Sequence, residues 1–246
     1  MLNDLVIAQV SDLHIGPSDA LYRGVRIRQK FLDVLQALAK KPLDLLILSG
    51  DLSATQGEPE AYTWIKQVLS DFPYPYLIMA GNHDHVERMT LAFCLPDSDV
   101  SEGMLYYSRM ISNKLLLFLD SSPYRIARRQ LKWLKSKLTN YHKPVLLFIH
   151  HPPLLCDCQF MDDHHALLNI REVWKVFDKL PQIQHIFTGH YHAAKTVTKK
   201  NKFIHLTPST IFQIDMEKPY FAIEHTRPGW RIIHWGEEIR TYVEYL

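Results

Sequence analysis

Short, continuously apolar runs punctuate the first two thirds of the chain: Leu5–Val10, Leu43–Ser49, Tyr76–Ala80, Val145–Ile149 and His185–Thr188. Runs of this length, bounded by polar turn residues, predict buried strands. Between them lie segments of helical period. Arg28–Lys40 places Phe31, Val34, Leu35 and Leu38 on one face. Glu58–Ser70 opens after Gly57, with Pro59 in the first turn, where its missing N–H costs nothing. His85–Cys94, Arg128–Leu138 and Asn169–Leu180 read as further helices. This β-α alternation predicts a mostly parallel sheet with helices outside it.

The last third changes character. Phe203–Leu206, Tyr220–Glu224, Arg231–Trp235 and Ile239–Val243 are short runs separated by Gly, Pro or Lys-Asn turns, as antiparallel strands are. Met104–Arg109 and Leu115–Asp120 form another such pair. The expected architecture is α/β: two packed mixed β-sheets flanked by helices, a four-layer αββα sandwich. With no repeat, low-complexity tract or linker, one domain spans residues 1–246.

Composition narrows the class. In 246 residues, 47% hydrophobic and 22% charged content is that of a soluble globular protein, and a net charge of +2 gives no reason to expect stable nucleic-acid binding. No apolar run approaches the ~18–20 residues of a membrane helix. Three cysteines fit a reducing compartment, and with no leader segment the expected location is cytoplasmic. Cys156-Asp157-Cys158 is poorly spaced for a disulfide and lacks a second pair for zinc, so a free pair is expected.

The chemistry sits where the strands end. Asp12-Leu13-His14, Gly50-Asp51, Gly81-Asn82-His83-Asp84, His150-His151-Pro152 and Gly189-His190-Tyr191-His192 each follow one of the five runs. Carboxyl ends of strands in an open α/β sheet form the ligand crevice, so these clusters are expected to meet in space. They supply carboxylate, imidazole and amide ligands without thiolate, which suits hard-to-borderline metal ions. Any one of them alone is an ordinary turn; their joint occurrence points to a binuclear metal hydrolase. Among the other histidines, His151 is expected to point away as a supporting or packing residue. Asp162-Asp163-His164-His165 is expected to be a solvated loop near the mouth of the site, and Lys195–Lys202 a hairpin turn carrying solvated lysines.

Taken in order, Asp-x-His, Gly-Asp, Gly-Asn-His-Asp, His and Gly-His-x-His resemble the calcineurin-like metallophosphoesterase superfamily from residue 12 to residue 192. Within it the chain is most similar to bacterial class III cyclic-nucleotide phosphodiesterases. The residues carrying that closer match are the His-His-Pro-Pro stretch, Met161-Asp162, Leu168-Asn169, Thr207-Pro208-Ser209-Thr210 and Pro228-Gly229-Trp230-Arg231. The chain departs from the pattern after Asp120-Ser121, where Ser122–Arg129 is short and basic.

The resemblance implies one metal on Asp12, His14 and His192 and another on Asn82, His150 and His190, with Asp51 bridging. Two ions so held need a shared anion and can trap a hydroxide between them as nucleophile. Iron, manganese and zinc all suit these ligands. The resemblance further makes His83 the phosphate contact and proton donor. Asp84 either orients it or caps the following helix, and Asn82, His83, Asn169, Thr207 and Ser209 are expected at the substrate. The implied reaction is hydrolysis of a small phosphodiester, a 3′,5′-cyclic nucleotide such as cyclic AMP giving 5′-AMP, by a monomer or homodimer. A glycerophosphodiester phosphodiesterase is the alternative within the class. A metal-free protein-binding scaffold is the alternative outside it, and it would be expected to lack some of the seven ligands.

Overall fold

A computed structural model describes residues 4–19 and 21–246. The apolar runs become β1 (Leu5–Val10), β2 (Leu45–Ser49), β3 (Tyr76–Met79), β8 (Val145–Ile149) and β9 (Ile183–Thr188). The shorter strands are β4 (Val100–Ser101), β5 (Met104–Leu105), β6 (Tyr107–Ile111), β7 (Lys114–Leu119), β10 (Lys195–Lys199), β11 (Lys202–Leu206), β12 (Gln213–Ile214) and β13 (Ile223–His225). A final antiparallel pair, β14 (Gly229–Trp235) and β15 (Ile239–Tyr245), closes the chain. The helices are α1 (Ile27–Leu38), α2 (Pro59–Leu69), α3 (Val86–Phe93), α4 (Arg128–Leu138), α5 (Gln159–His164) and α6 (Ile170–Phe177).

Two mixed sheets carry the fold. One runs β15-β14-β1-β2-β3, with β1, β2 and β3 parallel; the other runs β10-β11-β9-β8-β7-β6, with β7, β8, β9 and β11 parallel. The antiparallel strands lie at the margins, where a hairpin suffices as connection. All of Leu45–Ser49 and all of Val145–Ile149 are buried, as strands covered on both faces must be. One apolar cluster joins both sheets and the inward faces of the helices, including Phe31, Val34, Leu35 and Leu38 of α1.

Polar cross-links register the sheets against each other. Gln9 on β1 donates from Nε2 to Ser49 Oγ on β2 (2.9 Å) and to the Thr188 carbonyl on β9 (3.3 Å), and it accepts from Thr207 Oγ1 (2.7 Å). A buried amide is costly unless satisfied, so this side chain fixes how the layers meet.

Three expectations change. The Met104–Arg109 run breaks at Tyr106, because β5 pairs with β4 while β6 pairs with β7. Tyr220–Glu224 shrinks to the three-residue β13, paired with β12. Lys195–Lys202 is a hairpin as expected, but Lys202 is not solvated. Its Nζ is buried and donates to the carbonyls of Ile183 (2.7 Å) and Leu180 (3.0 Å) at the entry to β9.

Candidate metal centre

The parallel strands of both sheets deliver their C-terminal turns to one place. The loops after β1 and β2 run side by side: Asp12 N–H donates to Gly50 O (3.0 Å), His14 N–H to Asp51 O (2.9 Å) and Ile15 N–H to Leu52 O (3.0 Å). Five non-glycine residues there hold left-handed backbone: Asp12 (φ 56°), His14 (45°), Asp51 (52°), His190 (66°) and His192 (45°). Each costs on the order of 1 kcal/mol or more, and such strain clusters at functional sites. Gly81 is required by contact, since a Cβ there would run into the Asp51 carboxylate and amide.

The resulting side chains form overlapping groups. The ligand atoms of Asp12, His14 and His192 all lie within 4.8 Å of one another, and so do those of Asp51, His150 and His190. His14 Nε2 is 3.2 Å from His192 Nε2, and His192 Nε2 is 3.4 Å from Asp12 Oδ1. Asp51 Oδ2 lies 3.3 Å from His150 Nε2 and 3.7 Å from His14 Nε2, so one carboxylate faces both groups. A third grouping, His14, Asp51 and His83, overlaps them, with His83 Nε2 at 4.0 Å from Asp51 Oδ2.

The outward nitrogens are already engaged. His150 Nδ1 pairs with Ser49 O (2.9 Å), His192 Nδ1 with Phe212 O (3.1 Å) and His190 Nε2 with His165 O (2.9 Å). A carbonyl can only accept, so His190 and His192, when neutral, present the other nitrogen as a lone pair to the cluster, and His150 does so once the Nε2 proton favoured by Asp51 has left. This is the support that metal-binding imidazoles receive. His150 Nε2 in the Asp51 group, and Asn82 Oδ1 next to His83, are buried without a hydrogen-bond partner. Orphaned buried acceptors facing lone pairs and carboxylates call for cations, and this donor set fits them.

The charges agree. Burial works against ionising Asp12, but His192 and His150 outweigh it and hold the carboxyl at about 2; Asp51 is likewise held well below the usual range against burial, mainly by His150. Burial holds His14 at about 4 and His190 at about 3, leaving both neutral near pH 7. His150 goes the other way: the Asp51 carboxylate overcomes burial and raises it to about 9.

Residues expected around the metals separate into two kinds. His83 stands at the rim with its ring 37% exposed and its backbone N–H on Asp51 Oδ1 (2.8 Å). Asp84 neither orients the His83 ring nor caps α3. Its carboxylate accepts from the backbone N–H groups of Leu52, Ser53 and Gly81 and from Tyr62 Oη, whereas His83 Nδ1 has no partner and α3 has no side-chain cap. Asp84 thus ties the Asp51 loop to the Asn82 loop.

Three residues expected at the substrate have their polar atoms engaged within the protein. The Asn169 amide is engaged on both sides by the Ile126 backbone, accepting its N–H (3.1 Å) and donating to its carbonyl (2.9 Å). Thr207 Oγ1 is buried between Gln9 and Arg231. Ser209 Oγ donates to the Asp12 carbonyl (2.9 Å), bracing the strained turn from behind. His151 is buried with Nδ1 on Ser121 Oγ (2.8 Å), but its ring does not point away as expected: it lies 4.1 Å from that of His190 between centroids, and its Nε2 has no hydrogen-bond partner. The segment read as a solvated loop contains α5, and Asp162 is anchored within it. Cys156 and Cys158 are free and buried.

Sequence reasoning missed Tyr62 and Tyr124. Tyr62 Oη links Asp84 to the His85 amide, and the Tyr124 ring packs 4.6 Å from His151 between ring centroids. Both stand outside every motif, and only tertiary contact reveals them. Among the described residues, no helix is long and apolar enough to cross a membrane.

The model for calcineurin-like phosphoesterases matches residues 5–194. A probable cyclic nucleotide phosphodiesterase of Fibrobacter succinogenes is 40% identical over 233 residues, 95% of this chain and 90% of that one. The 3′,5′-cyclic adenosine monophosphate phosphodiesterase CpdA of Escherichia coli K12 is 28% identical over 92% of this chain and 84% of its own. Among solved structures, a dimetal phosphatase from Danio rerio shares the fold, with a TM-score of 0.66 at 14% identity over 96% of this chain and 98% of that one. With strand-end motifs in the family's order and the family's model matched over most of its length, the chain belongs to the calcineurin-like phosphoesterases.

Proposed function

We propose that the protein is a two-metal phosphodiesterase that hydrolyses 3′,5′-cyclic nucleotides, cyclic AMP giving 5′-AMP. The observation that carries this reading is the Asp51 carboxylate, which faces His150 on one side and His14 on the other. Asp12, His14 and His192 would hold one ion, and Asn82, His150 and His190 the other, with Asp51 shared. Iron, manganese or zinc in such a pair neutralises phosphate charge and lowers the pKa of water.

The chain's own residues supply orientation and a proton. Water adds to phosphorus while the bond to the ribose 3′ oxygen breaks, and that oxygen must gain a proton. We assign that proton to His83 Nε2, at the exposed rim, on a residue whose backbone N–H is held by Asp51. Cleavage on that side leaves the phosphate on the 5′ oxygen. Beside His14 a cavity of about 590 Å³ is walled by Tyr22, Arg28 and Trp64, with room for a nucleoside. The names of the relatives support the same substrate class.

The test is a panel of phosphodiesters with purified protein and defined metals, with products separated by chromatography. Cyclic AMP should give 5′-AMP and no 3′-AMP, with some turnover of cyclic GMP. Efficient cleavage of glycerophosphodiesters with neither cyclic nucleotide turned over would overturn the substrate assignment.

A further inference from the structure

The segment from Cys156 to His165 carries no metal ligand, yet it grips the turn that carries two of them. Tyr191, between His190 and His192, is fully buried and donates its hydroxyl to Asp162 Oδ1 at 2.8 Å. The same carboxylate accepts the backbone N–H groups of Cys156 (3.0 Å) and Cys158 (3.1 Å), so it is held on the loop side as firmly as on the Tyr191 side. One turn later the His165 carbonyl, at the end of α5, accepts from His190 Nε2 at 2.9 Å. The turn between these grips is strained: His190 has φ 66°, and Tyr191 N–H bonds back to Gly189 O at 2.7 Å.

We propose that Asp162 is a positioning residue for the metal centre. Through Tyr191 it fixes α5 against the Gly189–His192 turn, and α5 in turn fixes which nitrogen His190 offers. The His165 carbonyl requires a proton on His190 Nε2 and so leaves the Nδ1 lone pair for the ion shared with Asp51 and His150. Without the Asp162–Tyr191 link, α5 drifts from the turn, the ring samples both tautomers, and the site on that side loosens. His192 is fixed separately, by the Phe212 carbonyl, so the ion on Asp12, His14 and His192 is spared. Ligand orientation of this kind is typically worth about 10–100-fold in metal affinity.

The inference rests on the two-metal reading, and the experiment separates the two. Wild type, Asp162→Asn, Tyr191→Phe and the exposed neighbour control Asp163→Asn are stripped of metal and titrated with manganese by calorimetry. In parallel, imidazole ¹⁵N–¹H correlation spectra of the metal-free proteins report the His190 tautomer directly. The expected result is two sites in wild type and control, with one site weakened about 10–100-fold in Asp162→Asn and in Tyr191→Phe. A double variant should be no worse than Asp162→Asn alone, which disturbs the Tyr191 link together with the Cys156 and Cys158 amides. His190 should be Nε2-protonated in wild type and mixed in the variants. Tyr191→Phe keeps the packing, so it tests the link even if Asp162→Asn folds poorly. An unchanged tautomer, or both sites weakened equally, would overturn the positioning role while leaving the two-metal reading standing. A wild type that binds no manganese would overturn both.

Discussion

Asp51 Oδ2 and His150 Nε2 lie 3.3 Å apart, although Asp51 follows β2 in one sheet and His150 follows β8 in the other. The contact therefore spans the seam between sheets. Each residue is held from behind: the Asp51 carbonyl accepts the His14 N–H in the pairing of the loops after β1 and β2, and His150 Nδ1 is fixed by Ser49 O. Because one carboxylate faces both groups at the seam, a change at Asp51 should act on both halves of the site.

Asp51→Asn keeps the shape and removes the charge that two cations would share. We expect loss of at least one metal by elemental analysis and near-complete loss of hydrolysis, with circular dichroism unchanged. Two tightly bound metals and normal turnover in this variant would exclude the bridging role.

His83→Ala should retain both metals and lose rate, by about 10²–10⁴-fold if His83 donates the proton. A nitrophenyl diester, whose leaving group needs no proton, should show a much smaller penalty. Should metal occupancy fall instead, the grouping of His83 with His14 and Asp51 reflects ligation, and the proton-donor role is wrong.

The metal-free protein should respond to pH through His150. Its pKa is raised to about 9, with the Asp51 carboxylate overcoming the opposing effect of burial. A folded value above the unfolded ~6.5 stabilises fully below pH ~6.5, and that stabilisation is lost as pH rises to about 9. The melting temperature in chelator should therefore fall across that window. Metal must also displace this proton, so affinity should rise with pH, gaining roughly 50-fold between pH 7 and 9. A flat melting profile together with pH-independent affinity would contradict this.

Asn169 gives a way to tell support from substrate contact. It is buried, and both sides of its amide hold the Ile126 backbone. Asn169→Ala should cost roughly 1–3 kcal/mol of stability, the penalty of stranding buried partners, while the folded fraction keeps its KM. A raised KM with unchanged stability would restore Asn169 to the substrate.

Much of this site was legible because strand ends announce themselves. Apolar runs fixed β1, β2, β3, β8 and β9 to within about two residues, and the polar residues after them are those that converge. The supports were not legible. Nothing local marks Asp84 as a clamp between loops, and His83 beside it invites the wrong pairing. Asn169, Thr207 and Ser209 stand in segments that resemble the family's, yet their polar atoms face Ile126, Gln9 and Asp12 rather than the cluster. The Asp162 segment looked solvated because a string of charges reads as surface; only the fold brings Tyr191 beneath it. The left-handed backbone at five candidate ligands was not legible either: Asp and His tolerate that region without demanding it, and the loop contacts of the folded chain accompany it.

The most direct test of the two-metal account is an anomalous difference map from crystals grown with manganese. The account predicts two peaks about 3.5–4 Å apart, both touching the Asp51 carboxylate, one against Asp12, His14 and His192 and the other against Asn82, His150 and His190. A single peak, or two peaks of which one does not touch Asp51, would contradict it.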